Sequence, residues 1–303
     1  MSAKAIREYH GKLLIAKYIQ QLSEGDNGSV IRIDDRAASV TSQTNFDELV
    51  VEKPWLLEVP LVVKPDQLIK RRGKAGLVGL NLSFQNCQGW IEERMDKEIQ
   101  VDGVKGKLNH FIIEPFLPHS SEEEYYVCIS SERTGDTILF SHEGGVDVGD
   151  VDAKAERMIV DIGTTDLPEE AVIANLLCHV PQLKQAPLAR FLHYLFKIYR
   201  MLNFTYMEIN PLAMTVDPTG SNNSSYIITP LDLAAKIDET ASFLCSSMWG
   251  HLDFPPAFGR EDYPEEAYIR ELDGKTGASL KLTILNPHGR IWTMVAGGGA
   301  SVV

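Results

Sequence analysis

Apolar positions near the start of the chain recur at helical spacing, and those farther along fall in short runs separated by polar turns. The first pattern predicts an amphipathic helix over residues 5–21, because an apolar residue every three or four positions lines one helix face. The runs at 61–63, 77–82 and 111–113 predict buried strands, and 88–97 predicts a helix between them. Strands that alternate with helices indicate an α/β fold.

The middle of the chain continues this alternation. Residues 125–129 and 137–140 are rich in β-forming side chains and flank Gly135-Asp136, which favours a tight reversal, so a hairpin is predicted there. The remaining predictions are helices over 169–178 and 188–202 and strands over 205–209 and 226–231.

A change of composition at residues 249–264, which are rich in proline and aromatic residues, predicts a linker between two domains, 1–248 and 265–303. Beyond it the pattern predicts a helix over 265–273 and strands over 279–285 and 290–295, with the turn Asn286-Pro287-His288-Gly289 between the strands. The last strand runs into three glycines, as at the start of a flavodoxin-like or Rossmann-like βαβ unit. We expect this second domain to be incomplete, because the chain stops before the helix that such a glycine turn would open.

Composition narrows the class of protein. Hydrophobic residues make up 44% and charged residues 23%, the balance of a globular protein, and the net charge of −13 argues against nucleic acid as a partner. No apolar run approaches the length of a membrane span or a secretory leader, so we expect a soluble, intracellular protein without a membrane partner. The four cysteines are far apart and without a C-x-x-C pair, so buried reduced thiols are predicted.

A basic loop offers the first candidate chemistry. Lys64, at a predicted strand end, is followed by Lys70, Arg71, Arg72 and Lys74 with interspersed glycines. Lysine and arginine neutralise phosphate, and glycine lets backbone N–H groups approach it closely. A solvated charged surface is the alternative, and no Walker-type loop is present.

Six short motifs follow one another along the chain. They are Lys64-Pro65-Asp66, Arg71-Arg72-Gly73-Lys74, Ile113-Glu114-Pro115-Phe116, Glu143-Gly144-Gly145-Val146, Glu208-Ile209-Asn210-Pro211-Leu212 and Leu231-Asp232. In this order they resemble the ATP-grasp modules of the nucleoside-diphosphate-forming acyl-CoA synthetase superfamily. The resemblance is closest to the animal-type ATP-citrate lyase family, through residues 62–80, 142–155 and 279–303, whereas succinyl-CoA synthetase β chains share only the skeleton of the motifs. It implies an α+β ATP-grasp fold, followed by the start of the βαβ unit.

This resemblance implies a set of ATP-binding residues. Lys64 would hold the α- and β-phosphates, and Arg72 with the Gly73 backbone would close over the phosphates. The segment beside adenine would include Glu114, Pro115 and Leu117. Glu124 would accept the ribose hydroxyls, although a solvated surface acid remains the alternative for this residue.

Cation sites are implied as well. Asn210 and Asp232 lie at the ends of two neighbouring predicted strands and would hold Mg²⁺ with ATP, because this ion takes one or two protein oxygens and fills its shell with phosphates and water. Glu208, on the same strand face as Asn210, would sit near the transferring phosphate, with a capping role as its alternative. A second cation site is suggested by the resemblance, although a plain helix-ending turn fits equally well. It would consist of Asp273, Thr276 and Ala278.

The family converts citrate, CoA and ATP to acetyl-CoA, oxaloacetate, ADP and phosphate through phosphohistidine and citryl intermediates. None of the eight histidines has the Gly-His-Ala-Gly setting of the phosphohistidine, and the citrate and CoA segments are not found. We therefore expect the ATP-binding portion of an enzyme that is a homo-oligomer when whole. A succinyl-CoA synthetase β-like ligase subunit and a non-catalytic truncated nucleotide-binding fragment are the alternatives.

Overall fold

The computed structural model describes residues 3–24, 32–145, 154–164, 166–217, 226–260, 263–275 and 280–294. The chain forms two compact units, Met1–Gly259 and Arg260–Val303. The strands of the first unit are β1 (Ala3–Ile6), β2 (Ala38–Thr41), β3 (Leu61–Pro65), β4 (Gly79–Leu82), β5 (Glu98–Val101), β6 (Val104–Lys107), β7 (His110–Pro115), β8 (Glu124–Ser131), β9 (Gly135–Ser141), β10 (Glu156–Asp161), β11 (Phe204–Val216), β12 (Tyr226–Pro230) and β13 (Leu233–Asp238). Its α-helices are α1 (Glu8–Ser23), α2 (Phe46–Glu52), α3 (Phe84–Glu92), α4 (Glu169–Leu176), α5 (Gln182–Met201) and α6 (Ser242–Trp249).

A seven-stranded antiparallel sheet forms the larger layer, in the order β1-β13-β11-β8-β9-β10, with β12 also paired to β11. Strand β11 is long enough to serve two partners along one edge. Its first half pairs with β13, where Ile209 faces Leu233, and its second half pairs with β12, where Leu212 faces Pro230. The chain therefore changes partner beside residues 210–211.

Helices α1, α4 and α5 cover this sheet and close the main core. Their apolar faces contribute fully buried side chains, each of which stabilises the fold by about 1.5–3 kcal/mol relative to an exposed one. Examples from the helices and the strands beneath them are Ile15, Ile19, Leu195, Phe196, Ile209 and Ile237.

A four-stranded antiparallel sheet in the order β2-β7-β3-β4 forms the smaller layer, and α3 packs against β3 and β4. Its separate core includes Val63, Phe111 and Ile113. Strands β3 and β7 lie side by side, with Val62 opposite Glu114 and Lys64 opposite Ile112. Because the pairing is antiparallel, the end of β3 lies beside the start of β7, and Glu114, two residues beyond Ile112, is on the same face of the sheet as Lys64.

The predicted α/β alternation and the β8–β9 hairpin are confirmed, and three predicted helix starts are wrong. The first helix begins at Glu8, because Ala5 and Ile6 pair with β13. Helix α3 starts before residue 88 and ends at Glu92, because the Ser83 hydroxyl accepts the Asn86 N–H and caps it early. Helix α5 begins at Gln182 and runs through Pro187.

The second unit contains the predicted helix, α7 (Pro264–Lys275), and the turn in which Gly289 N–H bonds to the Asn286 carbonyl. The predicted strands at 279–285 and 290–295 are not formed over their described residues, 280–285 and 290–294. A strand needs a neighbour for its backbone N–H and C=O groups, and no described residue of this unit supplies one. Across all the described ranges, no helix is both long and apolar enough to cross a bilayer.

Candidate functional site

A buried carboxylate at the start of α1 organises the candidate site. Glu8, only 3% exposed, contacts Lys12 at 2.7 Å, Lys64 at 2.7 Å and Arg72 at 2.6 Å. Burial alone would raise the pKa of Glu8, but the charges of Arg72, Lys12 and Lys64 hold it well below its usual range. Glu8 is therefore ionised at neutral pH and binds three cations together.

Lys64 lies at the end of β3 and points into this cluster. Its ammonium donates to Glu8 and to the Leu231 carbonyl, at 2.5 Å, and lies 3.1 Å from Glu114. Burial would lower the pKa of Lys64, but Glu114 and Glu8 raise it above its usual value. The site thus holds a permanent positive charge away from water.

Arg72 lies in the loop after β3, and its side chain extends into the same cluster around Glu8. Its guanidinium donates to the Pro65 carbonyl at 2.7 Å, to Glu8 and to Asp232 at 2.5 Å. Burial would lower the pKa of Arg72, whereas Glu8 and Asp232 raise it, so this charge is permanent too. The basic loop is therefore divided into one buried cation, Arg72, and a set of solvated ones, and its binding of phosphate stays a prediction. Its other cations, Lys70, Arg71 and Lys74, are exposed.

Lys12 and Glu114 complete the cluster. Both Glu114 oxygens accept from Lys12, at 2.7 and 2.9 Å, and Lys12 also donates to the Leu231 carbonyl at 3.0 Å. Glu8 and Lys12 cannot be recognised as site residues from the sequence, because charges on an amphipathic helix ordinarily face solvent. Their spacing of four residues is a weak signal, since such Glu–Lys pairs are common on helix surfaces.

The charges of the cluster balance, but the carboxylates differ in access to solvent. Asp232 is 46% exposed, compared with 15% for Glu114 and 3% for Glu8. Asp232 is consequently the carboxylate of the cluster that an incoming anion can displace at the smallest energetic cost, because it is already partly hydrated. The three cations are Lys12, Lys64 and Arg72, and the three carboxylates are Glu8, Glu114 and Asp232.

Asp66 connects the smaller sheet to the start of α1. Its carboxylate accepts the backbone N–H groups of Glu8 at 2.8 Å and Tyr9 at 3.2 Å, and its carbonyl accepts from Arg7 at 2.6 Å. The first turn of a helix has unpaired N–H groups and a positive dipole end, so this carboxylate acts as a cap supplied from another layer. The cap fixes Glu8 beside Lys64 and Arg72.

This cap predicts a pH dependence of stability. Burial, together with the charge of Glu8, raises the pKa of Asp66 from 3.8 to about 6. Between these values the folded state binds more protons at this group than the unfolded chain, so stability from Asp66 is present at low pH and lost as pH rises through about 6. We expect the free energy of unfolding, relative to Asp66→Asn, to fall by on the order of 1 kcal/mol per unit between about pH 4 and 6. Urea unfolding of both proteins measures this, and a constant difference would contradict it.

Asn210 and Asp232 lie together where β11 changes partner. The Asn210 N–H bonds to the Asp232 carbonyl at 3.1 Å, and the Leu231 N–H bonds to the Pro211 carbonyl at 3.0 Å. The Asn210 side-chain oxygen accepts the Gly145 N–H at 2.8 Å. The backbone thus places Asn210 next to Asp232, whose carboxylate contacts Arg72.

Glu124, at the start of β8, is held by its neighbours. His119 contacts the Glu124 carboxylate at 2.9 Å and the Leu117 carbonyl at 2.7 Å. It therefore connects the carboxylate that is predicted to bind ribose to the segment that is predicted to lie beside adenine. Gly145 has φ +99°, and a Cβ there would lie 2.2 Å from a Glu124 oxygen. Only glycine fits this position, which explains part of the Glu143-Gly144-Gly145 motif.

The other candidate residues are placed as follows. Glu208, in the first half of β11, accepts a hydrogen bond from the Tyr206 hydroxyl, and burial together with this bond raises the pKa of Tyr206. Asp273, in the second unit, accepts the Leu280 N–H at 2.7 Å. Thr276 and Ala278 lie outside the described residues, so the second cation site stays a prediction.

Comparison with known families now identifies the chain. Residues 2–249 match the model of the ATP-citrate synthase ATP-grasp domain, and residues 260–303 match that of the ATP citrate lyase citrate-binding region. The whole chain is 55% identical to ATP-citrate synthase of Mus musculus, of which it spans 26%. It is 41% identical to ATP-citrate synthase alpha chain protein 1 of Arabidopsis thaliana, of which it spans 67%.

A solved structure shows the same fold. ATP citrate lyase from Methanothrix soehngenii, in complex with citrate and coenzyme A, superimposes with a TM-score of 0.79 at 40% identity. The match covers 99% of this chain and 67% of that one. Since the first family model alone covers more than half of the residues, the chain belongs to the ATP-citrate synthase family.

Proposed function

We propose that this chain binds Mg-ATP and forms the nucleotide-binding portion of an ATP-citrate synthase. The observation that carries this proposal is the pair of buried, permanently charged groups, Lys64 and Arg72, beside the half-exposed carboxylate of Asp232. Two neighbouring, desolvated cationic side chains suit the binding of a polyphosphate, and an adjacent carboxylate suits the Mg²⁺ ion that accompanies it.

We infer a role in nucleotide binding for each predicted residue. Lys64 and Arg72 would bind the phosphates, with the exposed Gly73 backbone closing over them. Pro115 and Leu117 would lie beside adenine, next to Glu114, and Glu124 would accept the ribose hydroxyls. Asn210 and Asp232 would hold Mg²⁺, which offsets the phosphate charge while the nucleotide is bound.

Both side chains that would bind phosphate, Lys64 and Arg72, form ion pairs with carboxylates. Arg72 divides its donors between the buried Glu8 and the half-exposed Asp232. Because the Asp232 carboxylate is already partly in water, it can leave Arg72 and bind a magnesium ion without any buried carboxylate having to move into solvent. We infer that nucleotide binding exchanges the Arg72–Asp232 ion pair for an Arg72–phosphate contact and an Asp232–Mg²⁺ contact.

The activity of the whole enzyme is part of the same proposal. The chain spans about a quarter of the mouse relative, so citrate, CoA, the phosphohistidine and any homo-oligomer contacts would involve the remainder of the enzyme. The match of residues 260–303 to a citrate-binding family supports citrate as the acid substrate. We place the enzyme in the cytosol on the same resemblance. The succinyl-CoA synthetase alternative has no support in the family matches.

Asp232→Asn tests the metal half of this proposal. The variant loses one charged ligand of a hard cation, so we expect about tenfold weaker binding of Mg-ADP, equivalent to about 1.4 kcal/mol. In EDTA the binding of ADP should be no weaker than in the parent, because Asp232 no longer competes for Arg72. Calorimetry in both buffers measures this, with the exposed turn variant Asp102→Asn as the control. Equal weakening in both buffers would make Asp232 a structural residue only.

A further inference from the structure

A second group of metal-ligand side chains lies on the outer edge of the large sheet. Glu156 begins β10, and Cys178 and His179 follow the end of α4. One carboxylate oxygen, the thiol sulfur and one imidazole nitrogen of these residues all lie within 4.8 Å of one another. Cys178 is exposed, which corrects the prediction of four buried thiols, whereas the other three cysteines are buried.

A second imidazole stands beside this group. His142 follows the end of β9, which pairs with β10 so that Phe140 faces Glu156. Its ring centroid is 5.5 Å from that of His179, with the planes inclined by 45°. The end of α4 and the start of β10 therefore bring three potential ligands together, and the end of β9 places a second imidazole next to them.

The donor set distinguishes this group from the magnesium site. Carboxylate oxygens and amides suit hard cations, whereas thiolate and imidazole ligands suit zinc, which is bound by three or four such groups with water in any open position. An ion pair accounts for the 3.2 Å contact between His179 and Glu156, but it does not account for the adjacent thiol and second imidazole. His179 and Glu156 are 61% and 40% exposed, so an ion could enter directly from solvent.

We propose that Glu156, Cys178 and His179, with His142 as a fourth ligand, form a binding site for Zn²⁺ that is separate from the nucleotide site. The thiolate and imidazole donors would give it selectivity against Mg²⁺. Its ligands come from strands and a helix end that the core already fixes, so little ordering is required when the ion binds.

The test uses the full 303-residue chain without a histidine tag, reduced and free of nucleotide, in buffer with excess Mg²⁺. We expect one equivalent of Zn²⁺ to bind, measured by calorimetry. Co²⁺ in its place should give visible bands of a four-coordinate ion and a thiolate-to-cobalt charge-transfer band in the near ultraviolet. Absence of both the stoichiometric binding and the charge-transfer band would overturn the proposal.

Variants assign the ligands. Cys178→Ser and His179→Ala should each weaken Zn²⁺ binding by at least about tenfold, because even the loss of an outer-shell partner costs that much in protein metal sites. Cys178→Ser should also abolish the charge-transfer band. His251→Ala, at another exposed histidine, is the matched control and should bind as the parent does. Unchanged binding in Cys178→Ser would refute the site, and unchanged binding in His142→Ala would remove the fourth ligand.

Discussion

Glu8→Ala is expected to lower the free energy of unfolding by about 3–5 kcal/mol, the usual cost of removing one partner from a buried ion pair. The carboxylate contacts Lys12, Lys64 and Arg72, all of them buried. Its loss leaves three buried positive charges close together, with only Glu114 and Asp232 to balance them. Urea unfolding at neutral pH measures the effect.

Glu24→Ala supplies the control for this experiment. Glu24 is an exposed acid at the other end of α1, so its removal should change stability by less than about 0.5 kcal/mol. Glu8→Gln, which keeps the shape of the side chain, should fall between the two because its amide oxygen can still accept one hydrogen bond. A loss below about 1 kcal/mol in Glu8→Ala would mean that water or another acid already compensates these cations.

Lys64→Met is expected to weaken the binding of Mg-ADP by about a hundredfold, or about 2.7 kcal/mol, because a charge-assisted phosphate contact in a dry site is lost. Methionine retains the apolar stem and removes only the ammonium group. Calorimetry measures the affinity, and parallel unfolding experiments show whether the variant is folded at the temperature used.

Lys70→Met is the matched control, because Lys70 belongs to the same basic loop but is exposed. An exposed charge contributes at most about 1 kcal/mol, so its affinity should change less than about fivefold. If the folded Lys64→Met and Lys70→Met proteins lost affinity equally, the loop would act as a diffuse positive surface and not through a defined phosphate contact.

The sequence was sufficient for elements whose pattern is local. The β8–β9 hairpin follows from β-forming residues around Gly135-Asp136, and α1 follows from its apolar spacing apart from its first turn. The end of β3 could be located because an apolar run ends at Lys64. In each case the determining residues are neighbours in the chain, which is the range over which propensity and periodicity act.

The rest depends on contacts between distant segments. Glu8 is buried because Asp66, from another layer, caps its helix, and nothing in the first helix encodes that partner. Arg72 differs from Arg71 only in where the loop directs it, so composition could not separate the buried cation from the exposed one. The early start of α3 at Phe84 is an exception, because it depends on a local signal, the cap by Ser83, that the apolar pattern alone did not reveal.

The long sequence separations within the cluster have a consequence for folding. Lys64 and Leu231 are 167 residues apart, Arg72 and Asp232 are 160 apart, and Lys12 and Leu231 are 219 apart. Such non-local contacts form late, after most of the loop-closure entropy has been lost. A nascent chain that ended before residue 226 would carry Lys64 and Arg72 but neither Leu231 nor Asp232, so we expect that a nucleotide bound at the proposed site could not template the early steps of folding. We expect it to stabilise only the folded first unit, through residues of both sheets.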